Sequence, residues 1–177
     1  PWPQSIFKPS SCLACLIGCY SLVVVFACVC CVVDSNPRIY NELDVAVELG
    51  VIIGKTAKNV SYQNALDYVA GYSIGLDMTV RGTEERSLRK AIDTYSVLGP
   101  WMVTADEIPH PNKLSLKISV NGDVRQESNT DQLVYNVEKL IEYCSERYTL
   151  YPGDIIMTGT PDGVGPVEPG DIMTCEL

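Results

Sequence analysis

Residues Leu43–Lys55 read LDVAVELGVIIGK, and their alternation constrains the fold more than any other stretch. A period of two sends Asp44, Ala46 and Glu48 to one face of a strand and Val45, Val47 and Leu49 to the other. Further on, Asp77 interrupts a second apolar stretch, YVAGYSIGLDMTV at Tyr68–Val80. Acids set into strand-like apolar sequence are costly to bury unless something cationic compensates them. Acids near strands more often lie on solvated faces; if these are buried, the compensating cation is the functional question.

At 177 residues the chain can bury one substantial core, but it is short for two. Its net charge of −9 and pI near 4.5 argue against nucleic acid as a partner. The basic residues are scattered, which disfavours an anionic membrane surface as well. Six of the eight cysteines fall in the first 31 residues, leaving only Cys144 and Cys175 beyond them. Cys12-x-x-Cys15 has the spacing of half a zinc site, but no second pair follows, and the single histidine, His110, lies in a Pro-rich loop. Zinc and a disulfide framework are both disfavoured, and from Gly50 onward the chain reads as a reduced, intracellular, soluble protein.

Residues 12–33, CLACLIGCYSLVVVFACVCCVV, carry no charge and are long enough to cross a bilayer. Their Val and Cys content suits buried strands equally well. After Asp34-Ser-Asn-Pro37 the pattern predicts a strand at Leu43–Gly54, a short helix at Tyr62–Val69 capped by Ser61, and a strand at Ala70–Val80. A charged loop or helical turn is expected at Gly82–Lys90 and a strand at Pro100–Thr104. Leu114–Asn121 alternates into an Asn121-Gly122 hairpin turn. The strongest helical pattern is Asp131–Arg147, with Leu133, Val134, Val137, Leu140, Ile141 and Cys144 as its apolar stripe. Strands at Ile155–Thr158 and near the end flank the turn Gly159–Gly165, with Pro-Gly-Asp turns at 152–154 and 169–171.

Glu48 and Asp77 are the candidate metal ligands, and hard oxygens of this kind suit Mg²⁺, Mn²⁺ or Ca²⁺. Arg125-Gln126 could bind an anionic oxygen or simply end a solvent-facing strand, and Lys90 on its own reads first as a surface lysine. The turn Thr158-Gly159-Thr160-Pro161, with its backbone N–H groups and two hydroxyls, is equally readable as a plain turn. No Gly-x-Ser-x-Gly, phosphate loop, dinucleotide fingerprint or helical His-Glu pair is present.

Taken in order, VELGVIIGK, YVAGYSIGLDMTVR, LGPWMVTADEIP, KISVNGDVRQESNT and LYPGDIIMTGTPDGVGPV resemble the fumarylacetoacetate hydrolase family, as does the short IFKPSS at Ile6–Ser11. The family includes acylpyruvate hydrolases, oxaloacetate decarboxylases and hydroxyhepta-dienedioate isomerases. The resemblance implies an α+β fold, a mixed β-roll of the family's C-terminal-domain type with a few peripheral helices, commonly a homodimer. It also implies Mg²⁺ or Mn²⁺ held by three carboxylates: two from a Glu-x-Glu strand and one from an Asp on the next strand. Glu48 matches the second ligand and Asp77 the third, while the first falls on Ala46. Asp44, two residues back on the same face and roughly 7 Å along the strand, is the remaining acid that could reach an ion through a water. Lys90 matches the family's active-site lysine, Arg125 and Gln126 its substrate-facing pair, and Thr160 the threonine of its TGTP turn.

Against that pattern, residues 1–11 are expected to be an N-terminal fragment of the domain, 12–37 an atypical apolar, Cys-rich insertion, and 38–177 the catalytic domain, incomplete at its C-terminus. The family's water-activating His and Glu, which precede KPSS, are expected to be missing. A membrane span at 12–33 would separate Lys8 from Glu48 across a bilayer, so anchoring is disfavoured and a cytoplasmic or mitochondrial location expected. The resulting expectation is a metal-dependent hydrolase or lyase cleaving C–C bonds of short 2-oxo acids, impaired by Ala46. The alternative is a catalytically dead copy serving as a dimerisation or ligand-binding module.

Overall fold

The computed structural model describes residues 31–32, 42–92 and 94–177. The IFKPSS segment, the Cys12–Cys15 pair and most of the apolar run therefore lie outside the described residues. Three antiparallel sheets, curled into a half-barrel, carry the rest. One orders β10 (Ile155–Met157), β3 (Val47–Ile53), β4 (Val69–Asp77) and β6 (Ser96–Leu98), with β7 (Val103–Thr104) also paired to β4. A second orders β1 (Cys31–Val32), β12 (Ile172–Glu176), β8 (Ser115–Val120) and β9 (Asp123–Asn129). The third, β11 (Gly165–Pro166), β2 (Leu43–Val45) and β5 (Thr79–Val80), is short. The expected roll is present, and Cys31–Val32 pairs with Met173 and Ile172 at its edge.

The strand expected over 43–54 is interrupted at Ala46, yet its register does not slip. Asp44 faces Thr79 and Val47 faces Leu76. Between them the Asp77 N–H donates to the Ala46 carbonyl at 2.9 Å. Its alternation also holds. Leu43, Val45 and Val47 enter one apolar cluster with Leu76, Ile118 and Met173. Leu49, Val51 and Ile53 enter a second with Tyr72, Val137 and Ile141. Asp44, Ala46 and Glu48 are left on the other face, which is the face of the candidate site.

Helical expectations need correction. Tyr62–Tyr68 is a 3-10 helix, and Ser61 makes no side-chain cap. The capping role falls to Glu142, whose Oε1 accepts from the Tyr62 N–H at 3.1 Å and so ties this turn to the long helix. That long helix, α1 (Val137–Arg147), starts six residues later than its apolar pattern suggests. Asn136 decides the start by accepting from the Lys139 N–H at 3.0 Å. Asp131 belongs to a short 3-10 turn, Thr130–Gln132, and Val134 is 92% exposed. Of the strand expected at Pro100–Thr104 only Val103–Thr104 forms. Among the described residues no helix is long and apolar enough to cross a membrane.

The Asn121-Gly122 turn is as expected, with both residues at positive φ (52° and 91°) between paired Val120 and Asp123. The strand leaving that turn departs from simple alternation. Ile118 pairs with Gln126 but Ser119 with Val124, so Arg125 is the extra residue of a β-bulge. The bulge leaves Arg125 exposed while Gln126 is buried.

Candidate active site

Strand pairing brings the two candidate ligands together. Ala46 lies opposite Asp77 and Glu48 opposite Gly75, on alternate rungs of the same two strands with the Val47–Leu76 rung between them. Glu48 is only 5% exposed. Its Oε2 accepts from the Gly159 N–H at 2.7 Å, so the TGTP turn reaches directly onto the carboxylate. Lys90 arrives from the turns after β5 and forms an ion pair with Asp77 Oδ2. Burial pushes the Glu48 carboxyl above its ordinary value, and the negative charge of Asp77 adds to this. The Gly159 N–H and the Lys90 ammonium oppose it. Glu48, Asp77 and Lys90 thus form one electrostatic unit.

Ala46 is 4% exposed and contributes only a methyl group at the position beside them. Asp44 gives one oxygen to Arg81 Nε at 2.6 Å, and its other oxygen, Oδ1, is buried with no hydrogen-bond partner. Among the described residues no three metal-ligating side chains converge. The donors that remain, two carboxylates on a buried sheet face, still fit a hard divalent ion. Such ions are commonly held by one or two carboxylates, with water and substrate oxygens completing the shell.

The remaining sequence candidates are placed differently. Arg125 is exposed on its bulge. Gln126 is 1% exposed, its Oε1 accepting from the Val47 N–H at 2.9 Å. Its Nε2 donates to Thr160 Oγ1 and to the Pro161 carbonyl, each at 2.8 Å. Thr160 Oγ1 in turn donates to the Val47 carbonyl at 2.8 Å. Gly159 and Thr158 have no individual role in the sequence reading. Only the Gly in TGTP, here at φ 98°, signals that a backbone N–H is aimed.

The family profile described as fumarylacetoacetate (FAA) hydrolase C-terminal matches residues 22–177. The chain belongs to the fumarylacetoacetate hydrolase family. A maleylpyruvate hydrolase of Aquipseudomonas alcaligenes is 58% identical over 134 residues, 76% of this chain and 47% of that protein. A mitochondrial oxaloacetate tautomerase of Rattus norvegicus is 42% identical over 148 residues, covering 77% of this chain and 47% of the relative. The solved maleylpyruvate hydrolase from Sphingobium sp. SYK-6, in complex with manganese(II) and pyruvate, has 47% sequence identity and a TM-score of 0.73, over 76% of this chain and 50% of that one. The chain spans about half the length of these relatives. Family relatives thus include a hydrolase that has been seen with a divalent metal and a pyruvate-type ligand.

The raised proton affinity of Glu48 also bears on stability. It exceeds that of the unfolded chain, so stability falls as pH rises from the ordinary carboxylate value, 4.5, through the raised one. In chelator, Glu48→Gln is expected to melt a few degrees above the parent at pH 8. The gap should close as pH falls below the raised value, a trend that thermal melts from pH 4.5 to 8 will read.

Proposed function

We propose that this domain binds Mg²⁺ or Mn²⁺ through Glu48 and Asp77 and acts on the C–C bonds of short 2-oxo acids, with activity reduced by Ala46. The observation that supports this most is the convergence of two buried-sheet carboxylates and Lys90 under the Gly159 N–H. When bound, the cation supplies Lewis-acid polarisation of the 2-oxo group. Lys90, ion-paired with Asp77, is the donor available to an enolate oxygen as the C–C bond breaks. Glu48 is buried, and its carboxylate is anchored by the Gly159 N–H. Arg125, exposed on its bulge, offers a guanidinium to a substrate carboxylate. Decarboxylation and tautomerisation need no activated water, so these groups serve them more directly than they serve hydrolysis.

Calorimetric titration with Mn²⁺, followed by an oxaloacetate and acylpyruvate turnover assay, tests this reading. Binding in the micromolar to millimolar range is expected, with turnover that Asp77→Ala lowers at least 100-fold. No heat at millimolar Mn²⁺ would overturn it. Ala46 favours a second reading, a catalytically dead copy that dimerises or holds ligand. Metal binding without any turnover would support that copy.

A further inference from the structure

The hydrogen-bonding edge of β3 changes partner half-way along. Ile52, Val51 and Gly50 pair with Ile155, Ile156 and Met157 of β10. At Leu49 the carbonyl still accepts from Thr158, through both its N–H (3.2 Å) and its Oγ1 (3.0 Å). At the next step the ladder is abandoned: the Gly159 N–H leaves the strand and goes to the Glu48 carboxylate. Val47, whose peptide groups point to this edge, has no strand beside it there. Side chains take that place, with Gln126 Oε1 on its N–H and Thr160 Oγ1 on its carbonyl. The Gln126 amide then ties Thr160 and Pro161 together from the other side.

We infer that Gln126 is a positioning residue, its buried amide replacing the strand missing beside Val47 and so holding the Gly159 N–H against Glu48. Both hydrogens of that amide and its oxygen are bonded within the protein, and the side chain is buried, so its bonds serve the fold. The amide acts through two intermediaries. Its carbonyl fixes the rung between Ala46 and Glu48, and its NH₂ fixes the turn that carries Gly159. Losing it would leave a buried Val47 N–H unpaired and release Thr160–Pro161 from the sheet. The bulge at Arg125 makes this possible, because without the extra residue Gln126 would face solvent and Arg125 the core. The inference refines the site proposed above and rests on that reading for its chemistry, though its main test does not need a metal.

The test uses the full chain labelled with ¹⁵N-glycine, and it reads the Gly159 amide in the metal-free protein alongside Mn²⁺ affinity. In Gln126→Leu the Gly159 proton resonance is expected to move upfield and its hydrogen exchange to quicken. Mn²⁺ affinity should fall 10- to 100-fold, the usual cost of removing a group that orients a metal ligand. Thr160→Val should shift the same resonance, and Thr160→Ser should leave it at the parent position. Ile118→Val, a core change on the strand paired with Gln126, serves as the stability-matched control. An unshifted Gly159 resonance in folded Gln126→Leu overturns the inference, as does an equal shift in Ile118→Val. If Gln126→Leu does not fold, the contrast between Thr160→Val and Thr160→Ser decides. A parent protein that binds no Mn²⁺ removes the functional proposal and leaves the Gly159 readout standing.

Discussion

Replacing Ala46 with glutamate is expected to tighten Mn²⁺ binding by on the order of a hundredfold, about 2.7 kcal/mol. The position lies opposite Asp77 and one alternation from Glu48, so a carboxylate there joins the same sheet face. The same substitution carries a cost without metal. A third buried carboxylate beside Glu48 and Asp77 adds like charge and desolvation to a site that already pushes the Glu48 proton affinity up. Ala46→Glu should therefore melt below the parent in chelator and above it in excess Mn²⁺, where ligand binding to the folded state adds stability. Calorimetry and paired melts check both signs. Asp77→Ala should erase the gain in either background, because the two side chains would share one ion. If affinity does not change, position 46 does not direct its side chain at the ion, and the weakness of the site has another origin.

The second large effect is structural. Gly163→Ala is expected to cost roughly 3 kcal/mol or more, lowering the melting temperature by about 6–12 °C for a domain of this size. Gly163 has φ 97°, and a Cβ added to it would overlap the Arg125 carbonyl oxygen. The obstacle is backbone, so it cannot turn aside as a side chain would. Gly159 is the natural contrast. Its φ is nearly the same at 98°, but a Cβ there meets nothing within 4 Å, so Gly159→Ala should lose only about 1 kcal/mol. Thermal melts of the two variants separate steric contact from backbone strain. Equal losses would mean that the 158–165 turn does not cross the Arg125 bulge closely.

Much of the sheet was legible because its alternation is strict. The odd residues from Leu43 to Ile53 are apolar, and all of them are in the core. The resemblance likewise predicts that Glu48, Asp77 and Lys90 belong together, and strand pairing supplies the physical reason. What resisted reading was set by tertiary contact or by a single inserted residue. The pattern over Asp131–Arg147 suits one long helix, but the Asn136 cap and the exposed Val134 show that the α-helix does not extend over the first six residues. Ser61 has the right side chain for a cap, yet Glu142, distant in sequence, reaches the N–H instead. Arg125 and Gln126 are adjacent in sequence and match a family pair. Alternation alone puts them on opposite faces, but the one bulged residue decides that Gln126 is the one turned inward, and the sequence carries no mark of that insertion.

The strand that carries Glu48 also belongs to both apolar clusters, with Val47 in one and Leu49 in the other. Glu48 sits at the seam, so neither half of the domain can loosen without disturbing the strand that holds it. Amide exchange at Val47 and Leu49 should then occur only through global opening, giving both sites the same protection as the whole domain. Local breathing, which many binding sites use to admit ligand, would be closed to this strand. Entry to the site would depend instead on the exposed Lys90 side and on the turn after β10.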